Sequence, residues 1–161
     1  MPEDYPVNER IVQAVQTALQ AITTANGYAT NVTGVVRPRR TGEGAGPQHG
    51  QIRIEEGDDE RDSDSDLCGN PPRLGWRLPL VLALVVRLST RSEQPLDQAL
   101  RLFVADVIKC VAADCTWGGL AWNTDLAGVS YLGEADGIEG ATVALEILYR
   151  TPEDDPYTAT P

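Results

Sequence analysis

Few residues in this chain have the types and spacing that chemistry needs. His49, the only histidine, stands between Gln48 and Gly50. No acid or nucleophile lies at a spacing that would orient it as a general base, so it reads as an exposed loop residue. Cys110 and Cys115, with Cys68 further off, raise the question of a redox pair or half a metal site. Zinc asks for four ligands at characteristic spacings, which three scattered cysteines and one histidine do not offer. Cys110 falls on a helical stripe, where a thiol packs as a small hydrophobe. The run Asp62-Ser63-Asp64-Ser65-Asp66 opens like a calcium loop, yet Leu67 stands where glycine is required and Arg73 where glutamate is required. Trp117-Gly118-Gly119 permits a tight turn anchored by an indole, and lacks the lysine and hydroxyl of a phosphate loop. There is no nucleophile elbow, dinucleotide fingerprint or carboxylate pair in an apolar setting. The expectation is a protein without catalytic residues, metal or cofactor, and not an enzyme.

Charge points the same way. The net charge is −11, from 24 acidic residues against 13 basic ones. Nucleic acid and anionic lipid both need clustered positive charge, so neither is expected to bind. Arg37, Arg39 and Arg40 form the one small basic cluster, suited to pairing with acids on another subunit. Residues 55 to 66 carry eight acids and one arginine, a solvated and self-repelling segment. The longest apolar run, Leu78 to Val86, is far short of the roughly 20 residues that span a bilayer. Met1-Pro2-Glu3-Asp4 lacks the basic start of a signal peptide, and three cysteines without a CxxC pair fit a reduced, cytosolic origin.

The elements that must position these residues follow from periodicity. Val7, Ile11, Val15, Ala18 and Ile22 recur at helical spacing and predict a helix over residues 6 to 25, stopped by Asn26-Gly27. A strand is expected over 29 to 36, ended by Arg37-Pro38, and another over 51 to 55. Otherwise residues 39 to 76 read as one long glycine-rich, acidic loop, and stretches of that length are uncommon in compact domains. Residues 77 to 89 alternate Leu80, Leu82 and Leu84 with Val81, Ala83 and Val85, so both faces of that strand are apolar and need cover. Ser92 and Pro95 open a second helix, with Leu96, Leu100, Phe103, Val107 and Val111 as its stripe. Strands over 126 to 132 and 140 to 150 flank the turn signal Ala135-Asp136-Gly137, and 151 to 161 is an irregular proline-bearing tail. The fold class is α+β, one domain over 1 to 161: a mostly antiparallel sheet of four to five strands with two helices on one face. The second apolar face of the 77 to 89 strand lacks cover within the chain, which a neighbouring subunit would supply.

Four segments carry a family likeness: Ile22-Thr23-Thr24-Ala25-Asn26-Gly27-Tyr28, the block Leu96 to Asp106, Trp117-Gly118-Gly119-Leu120-Ala121, and Tyr149 to Tyr157. In that order they resemble the tail terminator, or tail completion, proteins of long-tailed bacteriophages. The likeness covers most of the chain except residues 41 to 76, and the acidic 55 to 66 segment departs from the family pattern. The resemblance implies a hexameric ring on the last ring of the tail tube. There it would end tube polymerisation and join the tail to the head connector, with the sheath protein a further partner in sheathed tails. It also implies a virion protein of the tail or neck, made in the host cytoplasm, through which DNA passes without specific binding and which meets no membrane. On this reading Arg37, Arg39, Arg40, Trp117 and Tyr157 are candidates for subunit or tube contacts. Asp58, Asp59, Glu60, Asp62, Asp64 and Asp66 are candidates for a lumen or docking loop. A head-completion or connector protein of the neck is the nearest alternative. A small-ligand-binding domain that uses the glycine-rich loop as a lid is the more remote one.

Overall fold

A computed structural model describes residues 4–38, 48–87 and 94–160. Among these residues two α-helices, α1 (Val7–Gln20) and α2 (Leu96–Ala113), accompany six strands: β1 (Gly34–Val36), β2 (Gln51–Glu56), β3 (Glu60–Arg61), β4 (Arg73–Arg87), β5 (Asn123–Ala135) and β6 (Ile138–Pro152). The sheet runs β1-β2-β4-β6-β5, and β3 continues along the β2 side of β4. Only β1 and β2 are parallel; the other pairings are antiparallel. The fold is therefore α+β, with a larger sheet than the four to five strands expected.

The sheet is built on β4 and β6, which pair without interruption from Arg73 opposite Pro152 to Arg87 opposite Ile138. Alternation then divides the sheet into two faces. On one, Leu78, Leu80, Leu82, Leu84 and Val86 of β4 join Ala141, Val143, Leu145 and Ile147 of β6, all buried. The same cluster holds Val7, Ile11, Val15 and Leu19 of α1 and Leu100, Phe103, Val107 and Val111 of α2. That is the covered face. The opposite, open face carries Val81, Ala83 and Val85, each half-buried.

The helix expected over 6 to 25 ends earlier. Gly27 does take the left-handed conformation (φ 83°), but it closes a separate 3-10 turn, Thr24–Asn26. Asp106 fastens this region to α2: its buried carboxylate accepts from the N–H groups of Ala29 (3.2 Å) and Thr30 (2.7 Å) and from the Thr30 hydroxyl (2.6 Å). At the other end of the chain, Asp136 (φ 55°) and Gly137 (φ 72°) form the two-residue β5–β6 turn.

The largest revision concerns residues 39 to 76. The strand expected at 51 to 55 is there as β2, but the rest, where described, is not one loop: β3, a 3-10 turn at Ser63–Ser65 and the first residues of β4 also occupy it. The tail is also fixed, because β6 runs to Pro152 and the Thr160 N–H returns to the Arg150 carbonyl at 3.1 Å. Arg39, Arg40, the loop glycines Gly42, Gly44 and Gly46, and the cap expected at Ser92 lie outside the described residues.

Arg37 is the one ion buried among α1, β1 and β2. It is 5% exposed, and its two terminal nitrogens each donate at 2.9 Å to the Glu9 carboxylate on α1, while Nε donates at 2.7 Å to Glu56 on β2. Those hydrogen bonds, Glu9 first, hold the guanidinium above its ordinary pKa. A buried pair adds little net stability over apolar packing, but removing one partner strands the rest. Arg37→Met should therefore lower the unfolding free energy by about 3 kcal/mol, seen as a fall in the urea midpoint. Arg37→Lys should recover only part of it, because an ammonium cannot fork onto both carboxylates.

Candidate functional site: the open sheet face and the acidic segment

The acidic segment, which includes β3, runs alongside β4 from the covered side of the sheet to the open side. On the covered side Asp59 accepts from the Asn8 amide at 2.6 Å and from the Tyr149 hydroxyl. Its carboxylate enters a cleft of about 210 Å³ lined by Pro6, Asn8, Trp76, Tyr149, Thr151 and Pro156, although the residue as a whole is solvent-exposed. Desolvation in that cleft raises the Asp59 pKa, against the two hydrogen bonds. Tyr149 stacks on Trp76 with ring centroids 6.5 Å apart, and burial, followed by the Asp59 charge, pushes its hydroxyl well above the usual tyrosine range.

On the open side the chain turns over Gly75. Asp66 accepts a forked pair of bonds from Arg61 (3.0 and 2.9 Å) and a third from the Gly75 N–H (2.6 Å), which hold its pKa below the ordinary carboxylate range. The Gly75 carbonyl receives the Asp62 N–H at 3.0 Å. Arg150 Nε donates to the Ser65 carbonyl at 2.7 Å, and its guanidinium lies 4.7 Å from the Trp122 ring centroid. A Cβ on Gly75 would collide with the Ser65 hydroxyl and the Asp62 carbonyl, so glycine there is what lets the segment lie flat on the sheet. The segment thus covers the Gly75 end of the open face with the chain's own residues.

The rest of that face is uncovered among the described residues. Its centre is small and apolar: Val81, Ala83 and Val85 on β4 oppose Ala144, Thr142 and Gly140 on β6. Leu132 of β5 leans over Gly140, its Cδ1 3.5 Å from where a Cβ would stand, and is 56% exposed. Charges rim this centre. Arg53 and Glu55 of β2 sit opposite Ala83 and Val81, while Arg77 and Glu146 approach at 3.5 Å. The two sheet edges also differ. At β1 the Val35 carbonyl is occupied by the Gln16 amide at 3.2 Å. At β5, Leu126, Tyr131 and Leu132 are exposed, and breaks in register at Leu126/Gly128 and Leu132/Ala135 bound the regular part of the strand.

Against this geometry the sequence candidates separate. Arg37 is spent inside the chain, which removes it from the surface available to a partner. Trp117 is likewise internal at 4% exposed: with Gly118 and Gly119 it takes positive φ, and its indole N–H donates to the Thr124 hydroxyl at 2.8 Å. Asp114 fixes that turn by accepting from Thr116 and Gly118, which lowers its own pKa. Tyr157 is 47% exposed, and its N–H bonds to Asp155. Asp58, Asp59, Glu60, Asp64 and Asp66 are exposed and Asp62 half-buried. His49 accepts the Arg87 N–H on Nδ1 at 3.1 Å. Cys110 is buried, with its Sγ 3.4 Å from the Ala18 carbonyl and its pKa raised by desolvation. Among the described residues no helix is long and apolar enough to cross a membrane, and no group of three His, Cys, Asp or Glu gathers as metal ligands. Sequence reasoning missed Ser65, Gly75 and the open-face rim. Gly75 was visible only as one more glycine, because its partner Asp62 lies across a turn that no periodicity announces. No protein-family model and no curated protein matches the chain.

Gly75→Ala should displace the 62 to 66 turn and cost about 1–3 kcal/mol by overpacking; faster limited proteolysis between residues 57 and 66 reports it. Tyr149 gives a pH prediction. Its raised pKa means that the folded chain keeps a proton which the unfolded chain releases near pH 10. The contribution is complete below that pH and is lost as pH rises toward the folded pKa. Tyr149→Phe should accordingly flatten the fall in urea midpoint above about pH 10.

Proposed function

We propose that the chain is a structural virion protein of the tail terminator kind. It forms a hexameric ring that caps the tail tube, ends its polymerisation and joins it to the head–tail connector protein. The observation that carries this reading is the open sheet face, whose small apolar centre is left uncovered by the described residues while the other face is buried under the helices. Monomers seldom leave such a surface bare, and an interface with another subunit gives it a use. The order of the four family-like segments supplies the kind of assembly.

Charge supports the same reading. A ring that passes DNA must not hold it, and a chain of net charge −11 repels the phosphate backbone over about 8 Å at physiological salt. Asp58, Asp64 and their neighbours belong to a segment pinned to the sheet, so their charge stands at a fixed place on the subunit and not on a loose loop. The sheath protein is a further partner where the tail is sheathed.

The test is negative-stain microscopy of the purified protein, alone and mixed with purified tail tubes. Rings, or caps confined to one end of each tube, are the expected outcome. Binding to DNA-filled heads and not to tube ends would move the protein to the connector. Binding to neither would sink the virion reading.

A further inference from the structure

The open face and the acidic segment are complementary to each other in charge, and one molecule brings its own segment only to the Gly75 end of its own face. By register the face carries Arg53, Arg73, Arg77, Arg87 and Arg150 against Glu55, Glu60, Asp125 and Glu146, more cations than acids in a strongly acidic chain. Arg150 is engaged under the segment and Arg77 approaches Glu146, whereas Arg53 is exposed beside Ala83. The segment carries Asp58 and Asp64, both exposed, while Glu60 stands opposite Arg77 on the sheet and Asp66 pairs with Arg61. Glu153 stands close enough to act on Arg61, so the tail adds to the same negative surface. Exposed Leu67 follows it as an apolar anchor.

The segment is also preformed. Three bonds to Asp66, the Arg150–Ser65 bond and the fit over Gly75 fix it before any partner arrives, so docking it costs little ordering entropy. Its attachment at the Gly75 end of the sheet keeps it away from the same molecule's Val81, Ala83 and Val85.

We propose that the uncovered centre of the sheet face is closed by a second copy of this chain, whose acidic segment, Asp58 to Asp66, docks on it against Arg53. Because the two surfaces are different patches of one chain, the contact is heterologous. It repeats from copy to copy and closes into a ring when the rotation permits. The proposal rests on the assembly reading above and names the surfaces that meet. Sheet extension through β5 is the competing contact, but β1 has no comparable edge to receive it: three residues, with the Val35 carbonyl taken by Gln16.

The experiment uses two full-length variants. Ala83→Glu places a carboxylate on the face, and Asp58→Lys/Asp64→Lys reverses charge on the segment without touching a bonded side chain. Far-UV circular dichroism and the melting temperature establish that each is folded, with Ala144→Glu as a second face variant should Ala83→Glu fail. Sedimentation velocity then reads the assembled mass. Wild type should form a closed oligomer and each variant alone should remain a monomer. An equimolar mixture should yield one-to-one heterodimers and nothing larger, since it contains one intact face and one intact segment per pair. Four outcomes would overturn the contact: variants that assemble like wild type, a mixture that stays monomeric, loss of assembly from the face variant alone, or a wild type that is monomeric at every concentration. Capping of tube ends is scored separately by microscopy. Wild-type caps alongside a failed mixing result would retain the terminator reading and remove only this contact.

Discussion

The structure depends on the unbroken β4–β6 ladder. Fifteen residues of each strand stay in register from Arg73 opposite Pro152 to Arg87 opposite Ile138. With a side-chain period of two, that single register decides the face of every residue on both strands, and a slip by one would turn the leucine row of β4 toward solvent. The other elements take their places from it. β2 and β3 line one side of β4 and β5 the other side of β6, while the helices join the apolar row the register produces. The open face is a consequence of the same constraint: once Leu80, Leu82 and Leu84 are committed to the core, Val81, Ala83 and Val85 must point away from it.

Charge is handled by position and not by number. Among the described residues one cation is buried, Arg37, and it is satisfied by a carboxylate from a helix and another from a strand. That pairing ties α1, β1 and β2 together through one guanidinium. The acidic segment is treated differently. Self-repulsion among eight acids would expand a free loop, and Asp66, Arg61 and the Asp62 N–H accordingly fasten the segment to Gly75 of β4, while Arg150 of β6 holds the Ser65 carbonyl. What is left outward is negative charge on a rigid support, a property that an extended loop lacks.

This contrast explains what the sequence made legible. Helix α1, helix α2 and the β4 alternation were readable because each repeats a single spacing over three or more turns or pairs. The Asp136-Gly137 turn was readable because positive φ selects its residues. The strand at 29 to 36 shrank to three residues because Asp106, seventy-odd positions away, holds Ala29 and Thr30 by their N–H groups. The segment at 57 to 66 was misread for a related reason. Its order comes from single long-range bonds to Gly75 and Arg150, and a glycine-rich acidic run looks the same whether or not those bonds exist. Arg37 looked like a surface cation because its basic neighbours in sequence suggested a cluster, while its real partners are 28 and 19 residues away. Trp117 was correctly seen as an anchor of its turn, and its burial is the cost of that role.

The partial cover on the open face bears on function more than the exposed apolar residues do. The chain has a segment long enough to run alongside β4 and does lay it on the sheet, but only at the Gly75 end, where glycine admits it. At Val81, Ala83 and Val85 the side chains are small and, among the described residues, only half-buried. Exposed apolar area costs about 25 cal/mol per Å² relative to burial, so leaving that stretch bare forgoes stability which a longer segment would have supplied. The small side chains there limit the forfeit, and they also let another backbone or side chain approach closely. Among the described residues the face is small in the centre, rimmed by arginines and acids together and bounded by the chain's own acidic segment, and that shape leaves room for another backbone to approach.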